Sequence, residues 1–263
     1  KCAVLRVAGR LGGGKALAED LDMVLSLLAE ALCQPLFPGE HVERLRAQLL
    51  TGLAIRAQDT AEMAELTFDQ IVYVDHPYRR PDEGYPETIQ TIQREDLIDF
   101  HGRNYGPRGM VIAIVGGISP EKAVDLVHQH LGEWQNPRQP DIPQLPPLKP
   151  LSQTTRQRVV IPGKSQADIV IGAAGPPRTS PDYLAASLGN NILGQFAMMG
   201  RIGKVVRETA GLAYYAASSL SGGLGPGPWE VSAGVDPQAV EPAIDLICEQ
   251  IRRFTSEPVS DEE

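Results

Sequence analysis

Apolar residues in the first half of the chain recur with the spacing of amphipathic helices. The clearest apolar face comprises Leu21, Val24, Leu25, Leu28 and Leu32. This face ends before Pro35, a residue that cannot continue a helix. The same spacing predicts further helices after Pro38, across 63–71 and 94–105, and from Pro120. Continuous apolar runs at 3–7 and 110–115 predict strands, the second of them buried, and Gly12-Gly13-Gly14 is expected to break the first.

Prolines are concentrated between residues 137 and 150, and they interrupt this pattern. Such a segment forms neither a helix nor a strand ladder, so it predicts a semi-rigid extended linker. Beyond it, the pattern predicts strands near 156–161, 167–173, 213–220 and 229–235, and helices at 181–193, 200–209 and 237–254. We therefore divide the chain into the C-terminal part of a first domain at 1–136, a linker at 137–153, and most of a second domain at 154–263.

Both halves mix strands with long helices, without strict β-α-β alternation. This arrangement is typical of the α+β class. We expect two similar layered domains, each a mainly antiparallel sheet with helices packed on one face. A length of 263 residues with 42% apolar residues is sufficient for two modest cores.

Charge and cysteine content narrow the possible functions. The formal net charge of −9 repels phosphate, which argues against nucleic acid and anionic membrane surfaces as partners. No run of 18 apolar residues is present, so no membrane span is predicted. Cys2, Cys33 and Cys248 lie far apart and indicate neither a disulfide framework nor a zinc cluster.

At each end of the chain, the sequence predicts a secondary-structure element that is cut short. The chain begins at Lys1 with a strand-like run, and residues 258–263 read as a helix that is just beginning. We expect the natural N-terminus, with any signal peptide, to lie upstream. The sequence therefore does not determine the cellular compartment.

Residue identity argues against one familiar kind of site, and spacing argues against another. Residues 9–16 resemble a phosphate-binding loop, but Ala16 stands where a magnesium-binding hydroxyl is required, so a flexible turn is the better interpretation. None of the histidines belongs to an H-x-x-E-H or H-E-x-x-H pair, which would place two imidazoles on one side of a metal. We expect structural or surface roles for all five, His41, His76, His101, His128 and His130.

Several short motifs, each weak alone, recur in a characteristic order. They are PLFP at 35–38, HPYRRP at 76–81, ETI at 87–89 ahead of Asp96-Leu97, HGRNYGP at 101–107, the strand at 110–116, and GRI, VRE and GLAY beginning at 200, 206 and 211. In this order and spacing they resemble the pitrilysin/insulinase family of zinc peptidases, in its bacterial branch related to mitochondrial processing peptidase. The similarity covers nearly the whole chain and implies a processing peptidase-like metallohydrolase fold.

The resemblance implies a zinc site that this chain does not complete. Active members hold zinc with H-x-x-E-H, which would fall upstream of Lys1, and with a glutamate near the end of the second helix. In this chain Thr51 and Gly52 occupy the place of that glutamate, and residues 48–58 contain no acidic residue. Losing one of three protein ligands removes most of the zinc affinity. We therefore expect no metal or other cofactor in this chain, and zinc in a partner.

The resemblance also implies an arginine and a tyrosine seven positions apart, and Arg207 and Tyr214 match that spacing. Arg207 falls in the last predicted turn of a helix, Gly211 suits a left-handed cap, and Tyr214 begins a strand. A guanidinium can hold a substrate carbonyl or carboxylate, and a phenol can donate to the oxyanion of a tetrahedral intermediate. The alternative is that Arg207 is a solvated helix residue and Tyr214 a half-buried sheet residue.

Loss of the zinc ligand together with the retained pair is typical of the non-zinc subunit in two-chain members of this family. We expect the protein to pair with a zinc-bearing homologous subunit and to enclose unfolded peptides as substrates. Two alternatives stay open: a purely structural subunit like the core proteins of respiratory complexes, and an active zinc peptidase whose histidine motif lies upstream. Whether the chain is itself an enzyme is therefore open.

Overall fold

The computed structural model describes residues 2–7, 12–195, 200–260 and 263. The chain divides into two compact units. The first unit contains Lys1–Gln48 and Glu87–Gln144, and the second contains Leu49–Pro86 and Leu145–Glu263.

The first unit is built on a three-stranded antiparallel sheet. Its strands are β1 (Cys2–Val7), β2 (Gly12–Leu17) and β3 (Ile112–Gly116), in the order β2-β1-β3. Gly12-Gly13-Gly14, which the sequence analysis expected to break a strand, instead forms the start of β2 opposite β1. A strand that begins with three glycines can form here because its backbone groups pair with a neighbour. Residues 9–11 of the phosphate-loop-like segment lie outside the described residues.

Most helices of the first unit follow the predicted apolar faces. They are α1 (Leu21–Cys33), the first part of α2 (Gly39–Arg56), nearly all of α4 (Pro86–Thr91), and all of α5 (Arg94–Asn104) and α6 (Pro120–Leu131). Leu21 and Leu25 of α1 are fully buried and pack against Ile112 and Ile114 of β3. Ser119 caps α6 by accepting a hydrogen bond from the Lys122 amide at 3.3 Å.

The second unit contains a three-stranded antiparallel sheet with a central strand. The strands are β4 (Ala167–Ala174), β5 (Ala213–Leu220) and β6 (Pro228–Val235), in the order β4-β6-β5. The helices are α3 (Thr60–Val72), α7 (Tyr183–Asn190) and α8 (Val240–Ser256). Two π-helical segments, Asn191–Gln195 and Gly203–Thr209, complete it.

The two faces of this second sheet have different coverings. On one face, here called the core face, Val231, Ala233 and Val235 of β6 are completely buried. They belong to one cluster with Val206 of the second π-helical segment and Ile247 of α8. This cluster is the largest described core in the chain.

The opposite face, here called the α3 face, is covered by α3. Phe68, Val72 and Tyr73 form a buried cluster against Val170 of β4. Val170 alternates along the strand with Ile169, which belongs to the core face, so the two clusters lie on opposite sides of one sheet.

The predicted α+β class with antiparallel sheets is confirmed. Helix α3 covers a second face of the sheet in the second unit. This covering was not predicted, because helices were expected on only one face of each sheet. The helix α4 was missed, since six residues are too few for a helical period to be visible. The expected strand near 156–161 is wrong: the described sheets do not include that segment, and residues 151–160 are exposed.

The division into units differs from the predicted domain boundaries. Residues 49–86 group with the second unit, whereas the prediction placed all of 1–136 in the first domain. The physical reason is the packing of Phe68 and Tyr73 on β4, a contact between residues about a hundred positions apart. Residues 137–153 form no helix or strand. Within the described ranges, no helix is both long and apolar enough to cross a membrane.

Truncation of Phe68 should destabilise the second unit selectively. Phe68→Ala removes a buried ring from the α3 face and should lower the free energy of unfolding by about 3 kcal/mol. Hydrogen exchange followed by mass spectrometry should show lost protection in β4 and retained protection in β3. Phe100→Ala, at an exposed phenylalanine of α5, is the matched control. Equal loss of protection in β3 and β4 would contradict the division of the chain into two units.

Candidate functional site

Arg207 lies on a π-helical segment that buried side chains hold in place. The neighbouring Val206 is fully buried in the core face, as is Ile202 just before the segment. The Ala210 amide donates to the Val205 carbonyl at 3.0 Å, a five-residue spacing that widens the turn. Arg207 itself is only half-buried. The anchoring of Val206 thus leaves the next side chain accessible to solvent.

A glycine turn connects this segment to β5. Gly211 has φ of +64°, in the left-handed region that favours glycine, as the sequence analysis expected. The Leu212 amide then donates to the Val206 carbonyl at 3.0 Å and closes the turn. Arg207 and Tyr214 therefore lie on the two arms of one helix-to-strand reversal.

Tyr214 occupies a β-bulge. Ala213 pairs with Val235 and Tyr215 pairs with Gly234, so two positions of β5 advance for one position of β6 and Tyr214 is the additional residue. A bulge leaves its extra residue out of the regular pairing and changes the direction of its side chain. Tyr214 is 63% exposed, which is unusual for a tyrosine in a strand next to a core. Sequence reasoning identified this residue but not the bulge.

Neither member of the pair is held by a neighbour in the part of the chain that the structure describes. No hydrogen bond or ion pair is formed there by the Arg207 guanidinium or the Tyr214 hydroxyl. Their donors are therefore available to a ligand.

The adjacent Tyr215, by contrast, is tightly bonded. Its hydroxyl donates to Asp168 Oδ1 at 2.6 Å, and Thr60 Oγ1 donates to the other oxygen of Asp168 at 2.5 Å. Burial, followed by the hydrogen bond to Asp168, raises the pKa of Tyr215. The ring crosses Gly234, where a Cβ atom would come within 2.4 Å of the Tyr215 ring. This network fixes the start of β5 beside the bulge, and sequence reasoning missed it.

A second group of polar residues lies on the α3 face. Glu65 and Asp69 are four residues apart on α3 and therefore share one side of the helix. Glu230 of β6 accepts a hydrogen bond from Ser219 Oγ at 3.2 Å. Burial and the nearby Glu65 charge raise the pKa of Asp69 to about 6. Burial and the Asp69 charge likewise raise the pKa of Glu230, although the Ser219 hydrogen bond opposes this.

The residues at the expected zinc position do not fit that metal. Thr51 and Gly52 lie in α2, which has no acidic residue beyond Glu43, so the last part of the helix itself offers no carboxylate. The described residues also include no group of three or more histidine, cysteine, aspartate or glutamate side chains able to hold a metal ion.

Three of the histidines have structural contacts. His101 Nε2 lies 2.8 Å from the Leu32 carbonyl oxygen, and His130 Nε2 lies 2.7 Å from Asp22 Oδ1. His76 is buried, and its Nδ1 accepts a hydrogen bond from the Tyr78 amide. None of these three belongs to a pair with metal-ligand spacing.

Comparison with known proteins defines the class and then the family. A solved structure described as the peptidase M16 inactive domain from Pseudomonas fluorescens matches with a TM-score of 0.87 and 24% identity, over 99% of this chain and 64% of that chain. The fold is therefore that of M16 peptidase inactive domains. Residues 91–263 match the sequence family described as the peptidase M16 inactive domain, and the chain belongs to this family.

Three curated relatives agree with this assignment. An uncharacterized zinc protease of Mycobacterium leprae is 27% identical over 94% of this chain and 55% of its own length. The beta subunit of mitochondrial-processing peptidase from Bos taurus is 28% identical over 69% of this chain and 37% of its own length. Cytochrome b-c1 complex subunit 1 of Mus musculus is 27% identical over 69% and 38%. The chain thus spans about half the length of the curated relative that it matches over most of its residues. The expected resemblance to pitrilysin/insulinase zinc peptidases is confirmed.

Adjacent tyrosines should respond differently to loss of their hydroxyl groups. Tyr215→Phe removes the hydrogen bond to Asp168 and should lower the free energy of unfolding by about 1–2 kcal/mol. Tyr214→Phe removes an exposed hydroxyl and should change it by less than about 0.5 kcal/mol. Urea denaturation of both variants measures the difference, and equal effects would contradict the assigned contacts.

Asp69 should make stability depend on pH. Because its pKa is raised in the folded state, the folded protein holds a proton that the unfolded chain has released between about pH 4 and pH 6. The stabilisation from this proton is complete below that window and is lost as pH rises through it. The free energy of unfolding of the wild type relative to Asp69→Asn should therefore fall, by on the order of 1 kcal/mol after solvent screening, between pH 4.5 and 7.

Denaturation midpoints of the wild type and Asp69→Asn at several pH values test this dependence. Asp245→Asn, at an exposed position of α8, provides the matched control. A wild-type-to-variant difference that stays constant across the window would contradict the raised pKa of Asp69.

Proposed function

We propose that this protein is the non-zinc subunit of a two-chain M16 peptidase. In this role it pairs with a zinc-bearing homologous subunit, and the two together enclose unfolded peptides. Support comes from the family membership and from the similarity to a relative named as a subunit of mitochondrial-processing peptidase. The lack of an acidic residue in α2 beyond Glu43 further supports an arrangement in which the partner carries the metal.

Arg207 and Tyr214 supply the chemistry in this proposal. The guanidinium of Arg207 holds a carbonyl or carboxylate of the peptide through its fork of N–H donors. The hydroxyl of Tyr214 donates a hydrogen bond to the oxyanion that forms when water attacks the scissile carbonyl. Both groups complete an active site whose metal and general base belong to the partner. The observation that carries the proposal is the turn that presents both side chains without intramolecular partners among the described residues.

A second candidate is a purely structural subunit. The similarity to cytochrome b-c1 complex subunit 1 favours it, because that relative is named for its complex and not for a peptidase. The two candidates differ in one measurable property, since a structural subunit confers no peptidase activity on any partner.

Removal of either functional group should lower catalysis without preventing assembly. In the complex reconstituted with the zinc-bearing subunit, Arg207→Ala and Tyr214→Phe should each reduce kcat for an unfolded peptide by about 10²–10³. Lys204→Ala removes a positive charge from the same helical segment and should leave kcat within about twofold. Unchanged kcat in both variants would refute the roles given to Arg207 and Tyr214.

Zinc analysis separates this proposal from an independently active peptidase. The purified protein, dialysed against micromolar zinc, should contain well under one equivalent, because the position of the third protein ligand offers no carboxylate. Elemental analysis by mass spectrometry gives the ratio. Stoichiometric zinc that resists dialysis would overturn the assignment as the non-zinc subunit.

A further inference from the structure

Three residues form one row across the β4-β6-β5 sheet, next to the bulge. Asp168 of β4 and Tyr215 of β5 both pair with Gly234 of the central strand β6. Directly paired residues share a face, so the side chains of Asp168 and Tyr215 lie on the same side of the sheet with only a glycine between them. A Cβ atom at position 234 would overlap the Tyr215 ring. The glycine therefore allows the tyrosine to reach a residue two strands away.

The Asp168 carboxylate accepts hydrogen bonds on both of its oxygens. The Tyr215 hydroxyl donates to Oδ1 at 2.6 Å, and Thr60 Oγ1 donates to Oδ2 at 2.5 Å. Gln166 Nε2 lies 3.0 and 3.1 Å from the two oxygens. Hydrogen bonds to a charged acceptor are stronger than those between neutral groups, and donors on several sides restrict the rotation of the carboxylate. Asp168 is thus a firmly held anchor for Tyr215.

Thr60 connects this anchor to helix α3. Thr60 is the first residue of the helix, and Asp59 caps the helix by accepting hydrogen bonds from the Ala61 and Glu62 amides at 2.9 and 3.0 Å. The start of α3 is therefore well defined where it contacts Asp168. Because of this contact, the position of the Asp168 carboxylate depends on two elements, β4 and α3, and not on its own strand alone.

Tyr215 directly follows the bulge residue Tyr214 in the chain. A bulge residue lacks the regular pairing, so the direction of its side chain depends on how firmly the residues on either side are held. On one side, Ala213 pairs with Val235. On the other side, Tyr215 pairs with β6 and its hydroxyl is bonded to Asp168. Loss of that hydrogen bond would loosen one of the two restraints on Tyr214.

We propose that Asp168 is a positioning residue, which directs the Tyr214 hydroxyl by holding Tyr215. Asp168 acts through the two adjacent tyrosines and does not itself contact the substrate. The inference rests on the proposed function in giving Tyr214 a catalytic task. A donor to an oxyanion is effective only when it is already in place as the charge develops, so a displaced Tyr214 hydroxyl lowers the rate of the chemical step.

Steady-state kinetics of the complex reconstituted with the zinc-bearing subunit tests this role. Tyr215→Phe and Asp168→Ala should each lower kcat for an unfolded peptide about tenfold and leave KM within about twofold, because the affected contact is made only in the transition state. Asp168→Asn keeps a side-chain oxygen for the Tyr215 hydroxyl, and it should restore kcat to within about threefold of the wild type. Assays well below the unfolding midpoint of each variant compare folded proteins.

Trp229→Phe is the matched control for a lost hydrogen bond. It removes the bond from the indole Nε1 to Asn190 Oδ1, 3.1 Å long, near the other end of β6. The loss of stability should be similar to that of Tyr215→Phe, whereas kcat should stay within about twofold of the wild type. A fall in kcat equal to that of Tyr215→Phe would show a general effect of stability and would overturn the proposal.

A double variant tests whether the effect passes through Tyr214. Once the Tyr214 hydroxyl is absent, Asp168 and Tyr215 have nothing left to position. Tyr214→Phe/Tyr215→Phe should therefore have the kcat of Tyr214→Phe alone, within about twofold. Losses that multiply would show that Tyr215 acts on another part of the complex, which also overturns the proposal.

Fluorine NMR follows the Tyr214 side chain without any activity measurement. With 3-fluorotyrosine at position 214 of the full chain, Tyr215→Phe and Asp168→Ala should shift or broaden the resonance of the wild type, and Trp229→Phe should leave it unchanged. An unchanged resonance in the first two variants would overturn the proposal, whatever their kinetics.

The outcomes distinguish this proposal from the proposed function. If Tyr214→Phe lowers kcat but Tyr215→Phe and Asp168→Ala do not, the positioning role is wrong and the catalytic role of Tyr214 stands. If Tyr214→Phe leaves kcat unchanged, the catalytic role is wrong, and the fluorine resonance alone decides whether Asp168 directs the Tyr214 side chain.

Discussion

The second unit depends on the position of β6 between β4 and β5. Alternate side chains of this strand must fit two different surroundings, one on each face of the sheet. Val231, Ala233 and Val235 fill the core face, while the alternate residues Glu230, Ser232 and Gly234 lie on the α3 face. A slip of one residue would exchange the two sets and bury a carboxylate in the main core. The antiparallel pairing on both sides, together with the crossing of Tyr215 over Gly234, holds this register.

The bulge at Tyr214 follows from the same constraint. Ala213 must pair with Val235 on the core-face side, and Tyr215 must reach Asp168 across Gly234. Accommodating both requires one additional residue in β5, and that residue is released from the regular pairing. The exposure of Tyr214 thus follows from the pairing of Ala213 and the hydrogen bond of Tyr215 on either side of it. On the other arm of the turn, burial of Val206 similarly leaves Arg207 accessible.

The two faces of the sheet differ in the polar groups that they carry. The core face is mainly apolar, with buried Asn190 and Ser218 hydrogen-bonded to each other, whereas the α3 face combines a small apolar cluster with acidic residues whose pKa values are raised. An arrangement of this kind costs stability, and proteins retain such costs mainly at sites that bind ligands. Arg207 and Tyr214, to which we assign substrate contacts as a proposal, also lie in this unit.

The sequence by itself determined the α+β class, most of the helices, the left-handed turn at Gly211, and the lack of a carboxylate between residues 48 and 58. These properties depend on local periodicity, on the preferences of glycine and proline, and on residue identity, which neighbours in the chain decide. Only the tertiary structure decided that α3 packs on β4, that Tyr214 lies in a bulge, and that Glu230 lies on the sheet face that α3 covers. Those features depend on contacts between residues many positions apart, where strand register and packing select the partner and local sequence carries no signal of it.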